Sequence, residues 1–367
     1  MEQGITYVGL DVCKRTIAIA VRWPGQPEPE ECSIPNEPRA VARWARRMKR
    51  QAPGAVVCAY EAGPTGYALQ RQLRDHGMEC RVIAPSLMPR KPGERVKTDR
   101  RDARKLAELL AGGLLTEVHP PTPEDEAVRD LSRAREDAKE DLTRARHRLS
   151  KFLLRRGLVF DRGRKAWTQT HAQWLRGLRL EHAADQAVFD DYCLAVAQIE
   201  ERVRGLDAQL AAWAKAEPYA APVAHLRCFR GFDTTTALGL VAELHDFRRF
   251  RRPRQLMAFL GMVPSENSSG ERRRQGAITK AGNSHARRLL IEAAWHYRHR
   301  PGVGPKLRQR RQGQPARVIA IADRAQQRLH RRHQRLTARA KAPNKITVAL
   351  ARELAGFLWA VLAVAAA

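Results

Sequence analysis

None of the six cysteines, at positions 13, 32, 58, 80, 193 and 228, stands in a Cys-x-x-Cys pair or at zinc-like spacing. That absence excludes a disulfide framework or a structural zinc site and points to buried free thiols in a reducing cytoplasm. A basic start followed by an apolar stretch is also missing, and the longest apolar tail, residues 357–367, is far short of a membrane span. A cytosolic protein with no membrane partner is therefore expected. Internal repeats are absent too. The scarce charge is the negative one: 39 Asp and Glu face 67 Lys and Arg, a formal net charge of +28, with a pI near 10.9.

The basic residues recur from end to end instead of forming one tail. The expected partner of such a surface is a polyanion, because each phosphate neutralised releases condensed counterions. With 43% hydrophobic residues in 367, the chain can bury about two or three cores, which excludes disorder as its main state.

Residues 5–12 (ITYVGLDV) read as a β-branched, apolar strand ending on a carboxylate. Residues 16–21 supply a second strand and a third passes through Cys32 to Ile34. An amphipathic helix over Pro38–Gln51 follows, then a buried strand over 55–59 that runs into Tyr60-Glu61. A helix over 65–76, a strand over 80–84 and a helix opening near Thr98 complete the run. Three strands in a row, then helix and strand alternating, is the order of an RNase H-like α/β domain.

From Glu124 the period changes. Val128, Leu131, Ala138, Leu142, Ala145, Leu149 and Phe152 recur at steps of three and four, with Arg135 in the one polar gap. This predicts a long helix with a coiled-coil face, and a second stripe from Tyr192 to Trp213 can return antiparallel to it. An apolar seam of that length predicts self-association through paired helices. Residues 157–190 have no clean period and read as a connecting or nucleic-acid-contacting segment. Pro218 and Pro222 mark a boundary, and Leu226–Arg249 is similar to a helix-hairpin-helix, except that Asp233 stands where the second turn glycine would be. A polar, Gly- and Arg-rich loop fills 261–282, followed by a helix over His285–Tyr297, a basic unpatterned stretch to about Ala342 and a final apolar helix from about Ile346. The Arg-rich runs at 248–254 and 308–311 fit phosphate contacts or solvated helix faces.

Four acids stand out by position. Asp11 ends the first strand, Glu61 ends the fourth, and Asp99 and Asp102 lie one turn apart near a helix start. The first and fourth strands of an RNase H-like sheet are adjacent, and three-residue spacing puts Asp99 and Asp102 on one helix face. Converging carboxylates repel one another unless hard divalent cations lie between them. Two Mg²⁺ ions roughly 3.5–4 Å apart can activate a nucleophile and stabilise a leaving oxygen in phosphodiester chemistry. In the 261–282 loop, Ser265, Ser268 and Ser269 are equally plausible as phosphate-contacting hydroxyls on residue type alone.

VGLDVCK around Asp11, YEAGPTGY around Glu61, VKTDRRDARKLAELL around Asp99 and Asp102, and LGMVPSENSSGERRRQGAITKAGNSHARRLL further on together carry a resemblance. The chain resembles the DEDD transposases, the one-ten family of insertion sequences, which includes the Piv-type DNA invertases and the bridge-RNA-guided recombinases. The likeness covers roughly 1–115, 223–300 and the last helix; residues 125–222 share only helical character. It implies an α/β plus all-α architecture: a RuvC-like catalytic domain over 1–120, a coiled-coil helical region over 121–222, a transposase domain with the serine loop over 223–310, and a basic segment with a C-terminal helix over 311–367.

The resemblance further implies that Asp11, Glu61, Asp99 and Asp102 are catalytic and hold Mg²⁺ or Mn²⁺, and that Ser269 is the catalytic serine. Arg272, Arg273, Arg274 and Lys280 would supply cationic charge to the phosphoryl group under attack. Expected partners are donor and target DNA, a structured guide RNA, and further copies in a dimer or tetramer. Two other readings of the residues are a RuvC-like junction-resolving nuclease acting by metal alone and a non-enzymatic nucleic-acid-binding protein.

Overall fold

Alternation of side chains along β1 (Thr6–Val12) sends Val8 and Leu10 to one face of a sheet and Tyr7, Gly9 and Asp11 to the other. The computed structural model describes residues 4–89, 98–161, 166–269, 272 and 274–363. Two compact units result, Met1–Pro121 and Thr122–Ala367.

In the first unit β1 is followed by β2 (Thr16–Arg22), β3 (Glu30–Pro35), α1 (Pro38–Gln51), β4 (Val56–Glu61), α2 (Ala68–Asp75), β5 (Glu79–Ile83), α3 (Asp99–Ala111) and β6 (Glu117–Val118). The mixed six-stranded sheet has the order β3-β2-β1-β4-β5-β6. β1 pairs parallel with β4, and β4 with β5, while the other pairings are antiparallel. The two-residue β6 was not anticipated from the sequence, since so short a strand has no period to detect.

Val41, Trp44, Met48, Leu69 and Leu73 from α1 and α2 cover the Val8, Leu10, Cys58 and Tyr60 face. α3 covers the other face, where Ala103 and Ala107 meet Ala18 and Ala20, and Leu106 and Leu110 meet Val57, Ala59 and Ile83. Small residues here let α3 lie very close to β1. A Cβ at Gly9 would stand 2.0 Å from the Ala103 carbonyl oxygen and 2.5 Å from the Ala107 nitrogen, so only glycine fits.

The second unit opens with the 33-residue α4 (Pro123–Arg155). Thr122 caps it by accepting from the Asp125 amide, and Glu124, Asp125 and Glu126 complement the helix dipole. After α5 (Gln169–Gly177), the 31-residue α6 (Ala183–Trp213) returns along α4. Ion pairs Arg135–Asp207 at 2.9 Å, Arg146–Glu200 at 2.6 Å and Arg156–Asp185 advance on one helix as they retreat on the other, the signature of antiparallel packing. The α4 stripe of Val128, Ala138, Leu142, Ala145, Leu149 and Phe152 is buried within the single chain. The seam expected to require another copy is thus covered from within. Arg135 leaves the seam sideways to Asp207 and Glu136. Phe160, Trp167, His171 and Trp174 cluster at the far end of the hairpin, with Arg146 over the Trp167 ring, so part of the unperiodic 157–190 segment is packing.

The remaining helices are α7 (Ala220–Arg227), α8 (Thr234–Leu244), α9 (Pro253–Phe259), α10 (Ser284–Ala294), α11 (Pro305–Arg311), α12 (Ala316–Ala338) and α13 (Pro343–Leu362), with a hairpin of β7 (Pro264–Glu266) and β8 (Gln275–Ile278) between α9 and α10. One core joins α8, α10, α12 and α13 with the start of α4 and the end of α6. The stretch read as unpatterned to Ala342 is mostly α11 and α12. Its buried stripe of Val318, Ile321, Ala322, Ala325 and Leu329 recurs at helical spacing, a period that the sequence reading passed over among the intervening arginines.

Placing a β-branched side chain at Gly9 should push α3 off the sheet. Gly9→Val is expected to destabilise the protein by about 1–3 kcal/mol, typical of overpacking against backbone, and to lower its melting temperature, whereas Gly25→Ala, which meets nothing within 4 Å but has φ +77°, should cost less. Thermal melts followed by circular dichroism check this; equal melting temperatures for Gly9→Val and the parent would refute the close approach.

Candidate carboxylate site and serine hairpin

Asp11 follows Gly9 by two residues and so faces α3, and Glu61 follows Ala59 by two and faces the same way. Leu10 pairs with Tyr60, which sets Asp11 and Glu61 next in register at the ends of adjacent parallel strands. Thr98 caps α3 by accepting from the Arg101 amide at 3.4 Å, and this start puts Asp99 and Asp102 in the first helical turn. Carboxylates there are favoured by the helix dipole.

Oxygen and sulfur atoms of Asp11, Cys13 and Asp99 all lie within 4.8 Å of one another, and the Cys13 thiol donates to Asp99 Oδ2 at 3.7 Å. Cys13 was not singled out in the sequence; its signal was only its place two residues after Asp11. Glu61 and Asp102 are not part of this tight set, although strand register and helix turn direct them to the same end of the sheet. The carboxylates of Asp11 and Asp99 are hard oxygen donors and fit a divalent cation such as Mg²⁺ or Mn²⁺; the thiol is a soft donor and suits such an ion poorly. Asp11, Cys13, Glu61 and Asp102 are half-buried and Asp99 is exposed, so the set is open to solvent.

In the second unit the Gly- and Arg-rich loop is a β-hairpin. Pro264 pairs with Ile278 and Glu266 with Gln275, and beyond β7 and β8 the ladder continues as Asn267 donates to the Arg274 carbonyl. Ser269 and Arg272 exchange backbone hydrogen bonds at 3.2 and 3.1 Å. At its base Gly261 has φ +61°, and a Cβ there would strike the Ala281 carbonyl oxygen at 2.0 Å. The three serines differ in what they do. Ser265 Oγ donates to the Ala277 carbonyl at 3.2 Å, and Ser268 Oγ donates to Glu266 and accepts from the Arg274 amide. Ser269 is exposed, and its hydroxyl makes no hydrogen bond among the described residues. Arg272, Arg274 and Lys280 are exposed as well, and Arg273 lies outside the described residues.

The hairpin returns into α10 through a buried network that sequence reading missed. Glu243 of α8 has a side chain only 1% exposed. Arg133 of α4 donates to both its oxygens at 2.7 and 3.0 Å, and the Asn283 amide donates to Oε2 at 2.6 Å. Burial alone would raise the Glu243 carboxyl, but the Arg133 and Asn283 hydrogen bonds outweigh it and hold the group below its ordinary value. Asn283 also caps α10 by accepting from the Ala286 amide at 2.9 Å. The available signal was a lone acid in the apolar run LGLVAEL.

Other candidates have internal roles. The Asp233 carboxylate caps α8, accepting from the Thr236 amide at 2.8 Å and the Thr235 hydroxyl at 3.1 Å, so it occupies the place a phosphate would take in a helix-hairpin-helix. Arg249 stacks on Phe250 and Phe259 at 4.4 and 4.5 Å, and burial lowers its guanidinium to about 10. Arg311 is buried and donates to the Cys228 carbonyl and to Asp323. These members of the two Arg-rich runs fasten the fold.

An α/β unit that brings two aspartates together at the end of its sheet is thus joined in the chain to a helical unit that displays a serine and arginines on a hairpin. Residues 223–309 match the family described as "Transposase IS116/IS110/IS902 family", and residues 8–156 match a DEDD transposase family of the IS110 type. The chain is 41% identical to the "Putative transposase y4qE" of Sinorhizobium fredii over 97% of its own length and 88% of that protein's. It is 37% identical to the "Transposase for insertion sequence element IS1533" of Leptospira borgpetersenii, over 91% and 97% of the two chains. A "Probable family 20 transposase" of Pseudomonas aeruginosa is 30% identical over 68% of this chain and 73% of its own length. The chain belongs to the IS110/IS116 family of insertion-sequence transposases. It is a DNA transposase, and its first unit fits the RNase H-like fold of the DEDD domain. No helix among the described residues is long and apolar enough to cross a membrane.

The Glu243 network makes a pH-dependent contribution. A carboxyl held low in the folded state stabilises fully above its unfolded pKa, and this stability is lost as pH falls through the folded value. Glu243→Gln should cost about 1–3 kcal/mol at neutral pH, and the gap in melting temperature between variant and parent should shrink on acidification. A gap independent of pH would show that the charge of Glu243 is not what the network uses.

Proposed function

We propose that this transposase cuts and exchanges DNA strands with a divalent-metal site on Asp11, Glu61, Asp99 and Asp102 and a covalent intermediate on Ser269. The observation that carries the metal reading is the meeting of Asp11 and Asp99 oxygens at the end of the sheet. Bound Mg²⁺ or Mn²⁺ would polarise the scissile phosphodiester and stabilise the leaving oxygen. Ser269 is favoured because the Ser265 and Ser268 hydroxyls are engaged in the hairpin. Its Oγ forms a bond to phosphorus as the bond from phosphorus to a deoxyribose oxygen breaks, and the hydroxyl proton ends on the displaced oxygen. A hydroxyl of the incoming strand then reverses the exchange and frees the serine. Arg272, Arg273, Arg274 and Lys280 would offset charge building on the phosphoryl oxygens.

Sequence choice would come from a structured guide RNA paired with donor and target DNA, in the bacterial cytosol. The antiparallel α4–α6 hairpin would act as a coiled-coil assembly region, since Leu154, Val188 and Leu194 remain exposed on it. The catalytic machinery would then occupy 1–120 and 223–310, flanking the assembly region at 121–222 and followed by 311–367. In a dimer or tetramer, the carboxylates of one copy would act with Ser269 of another.

Trapped reactions should leave DNA on the protein, with the adduct lost in Ser269→Ala and kept in Ser265→Ala and Ser268→Ala. Asp11→Asn or removal of divalent ions should abolish cleavage, while Arg272→Gln with Arg274→Gln slows it by about 100-fold or more, the scale of losing a charge-stabilising donor. Mass spectrometry finding the phosphodeoxynucleotide on another residue, or full strand exchange by Ser269→Ala, would refute the serine; metal-dependent hydrolysis by Ser269→Ala would favour the junction-resolving nuclease. For assembly, sedimentation of the DNA-bound protein at micromolar concentration should show a dimer or larger, and a monomer would remove the assembly role.

A further inference from the structure

α12 carries an arginine stripe that the proposed chemistry leaves unused. Arg324, Arg328, Arg331 and Arg335 recur at steps of four, three and four and share one exposed face of the helix. The opposite face, with Val318, Ile321, Ala325 and Leu329, is buried in the core. Together with Arg332 the four line a groove of about 640 Å³ along α12 and α13, where α13 contributes Glu353 and Phe357.

The groove is strongly unbalanced in charge. Glu353 accepts from both Arg328 and Arg332, the latter at 2.6 Å, leaving one carboxylate for five guanidiniums. Arg324, Arg331 and Arg335 have no acidic partner among the described residues. Like charges at helical spacing destabilise a helix, a cost that a polyanion in the groove would remove. Arg249 and Arg311 show that this chain can bury or pair its guanidiniums when they serve the fold; those of the stripe are held out in solvent.

The dimensions fit one strand of a duplex. At 1.5 Å per residue, Arg324 to Arg335 spans about 16 Å. Successive phosphates of one B-form strand lie about 7 Å apart along the backbone, about twice the 3.4 Å rise on the axis, so the span reaches about three phosphates, one for each guanidinium without an acidic partner. We propose that this groove seats the sugar-phosphate backbone of duplex DNA, a reading that rests on the chain acting as a DNA transposase. Contacts of this kind set position and register without reading bases.

Fluorescence anisotropy of the full chain on a duplex of arbitrary sequence, over a range of NaCl concentrations, tests the proposal. Replacing Arg324, Arg331 and Arg335 together by Gln should flatten the slope of log affinity against log salt by about 2.7, at about 0.9 for each phosphate no longer neutralised. Gln matches Arg in helix propensity and the positions are exposed, so the variant should keep the parent's melting temperature. The corresponding triple Lys variant should retain the slope, since counterion release depends on charge. Ser269→Ala removes a hydroxyl and no charge, so it should leave the slope unchanged, which separates failure of the chemistry from failure of the groove. An unchanged slope in the folded Gln variant, a slope lost equally in the Lys variant, or a loss seen on structured RNA but not on duplex DNA would overturn the assignment.

Discussion

Glu243 keeps a charge where only 1% of its side chain reaches solvent, and that is tolerable because Arg133 supplies two hydrogen bonds and Asn283 a third. These partners come from the long first helix of the unit and from the cap of α10. The serine hairpin ends at that cap, so its exit is tied to α4 and α8 through one carboxylate. Arg288, one turn into α10, adds a pair to Glu136 of α4 at 3.0 Å. The hairpin can thus display exposed side chains at its tip while its base is held by backbone contacts such as those at Gly261.

The first unit solves a different problem, that of bringing acids together on an otherwise basic chain. Period two puts Asp11 and Glu61 on the face opposite the α1–α2 core, and the alanines of α3 allow that helix to lie against Gly9. Closeness of backbone to backbone carries the N-terminal turn of α3, with Asp99 and Asp102, toward the strand ends. Converging acids cost electrostatic energy, which the helix N-terminus lowers and a divalent cation would lower further.

Arginine serves three purposes here. Arg249 and Arg311 are internal fasteners, stacked on rings or bonded to carbonyls. Arg135, Arg146 and Arg156 align the α4–α6 hairpin by ion pairs to its second helix. The arginines on the outer face of α12 and on the serine hairpin are exposed, and Arg328 among them pairs with Glu353. Net charge alone cannot sort them, because every guanidinium counts equally in composition.

Local pattern determined much of this protein before any tertiary contact. The strand order through Ile83, the helix over Pro38–Gln51, the stripes of α4 and α6, and the placement of Asp11, Glu61, Asp99 and Asp102 at element ends follow from periodicity and caps, which neighbouring residues dictate. Family likeness narrowed three serines to Ser269, and residue type could not. What only the tertiary structure decided depends on residues far apart in the chain: the joining of Cys13 to Asp11 and Asp99, the burial of the α4 seam by α6, the hydrogen bonds that occupy Ser265 and Ser268, and the division of arginines between core and surface. The stripe of α12 has a helical period in the sequence that its many arginines masked, and what the tertiary structure added is the core that buries it. Burial is a property of the assembled core, so no window of sequence contains it.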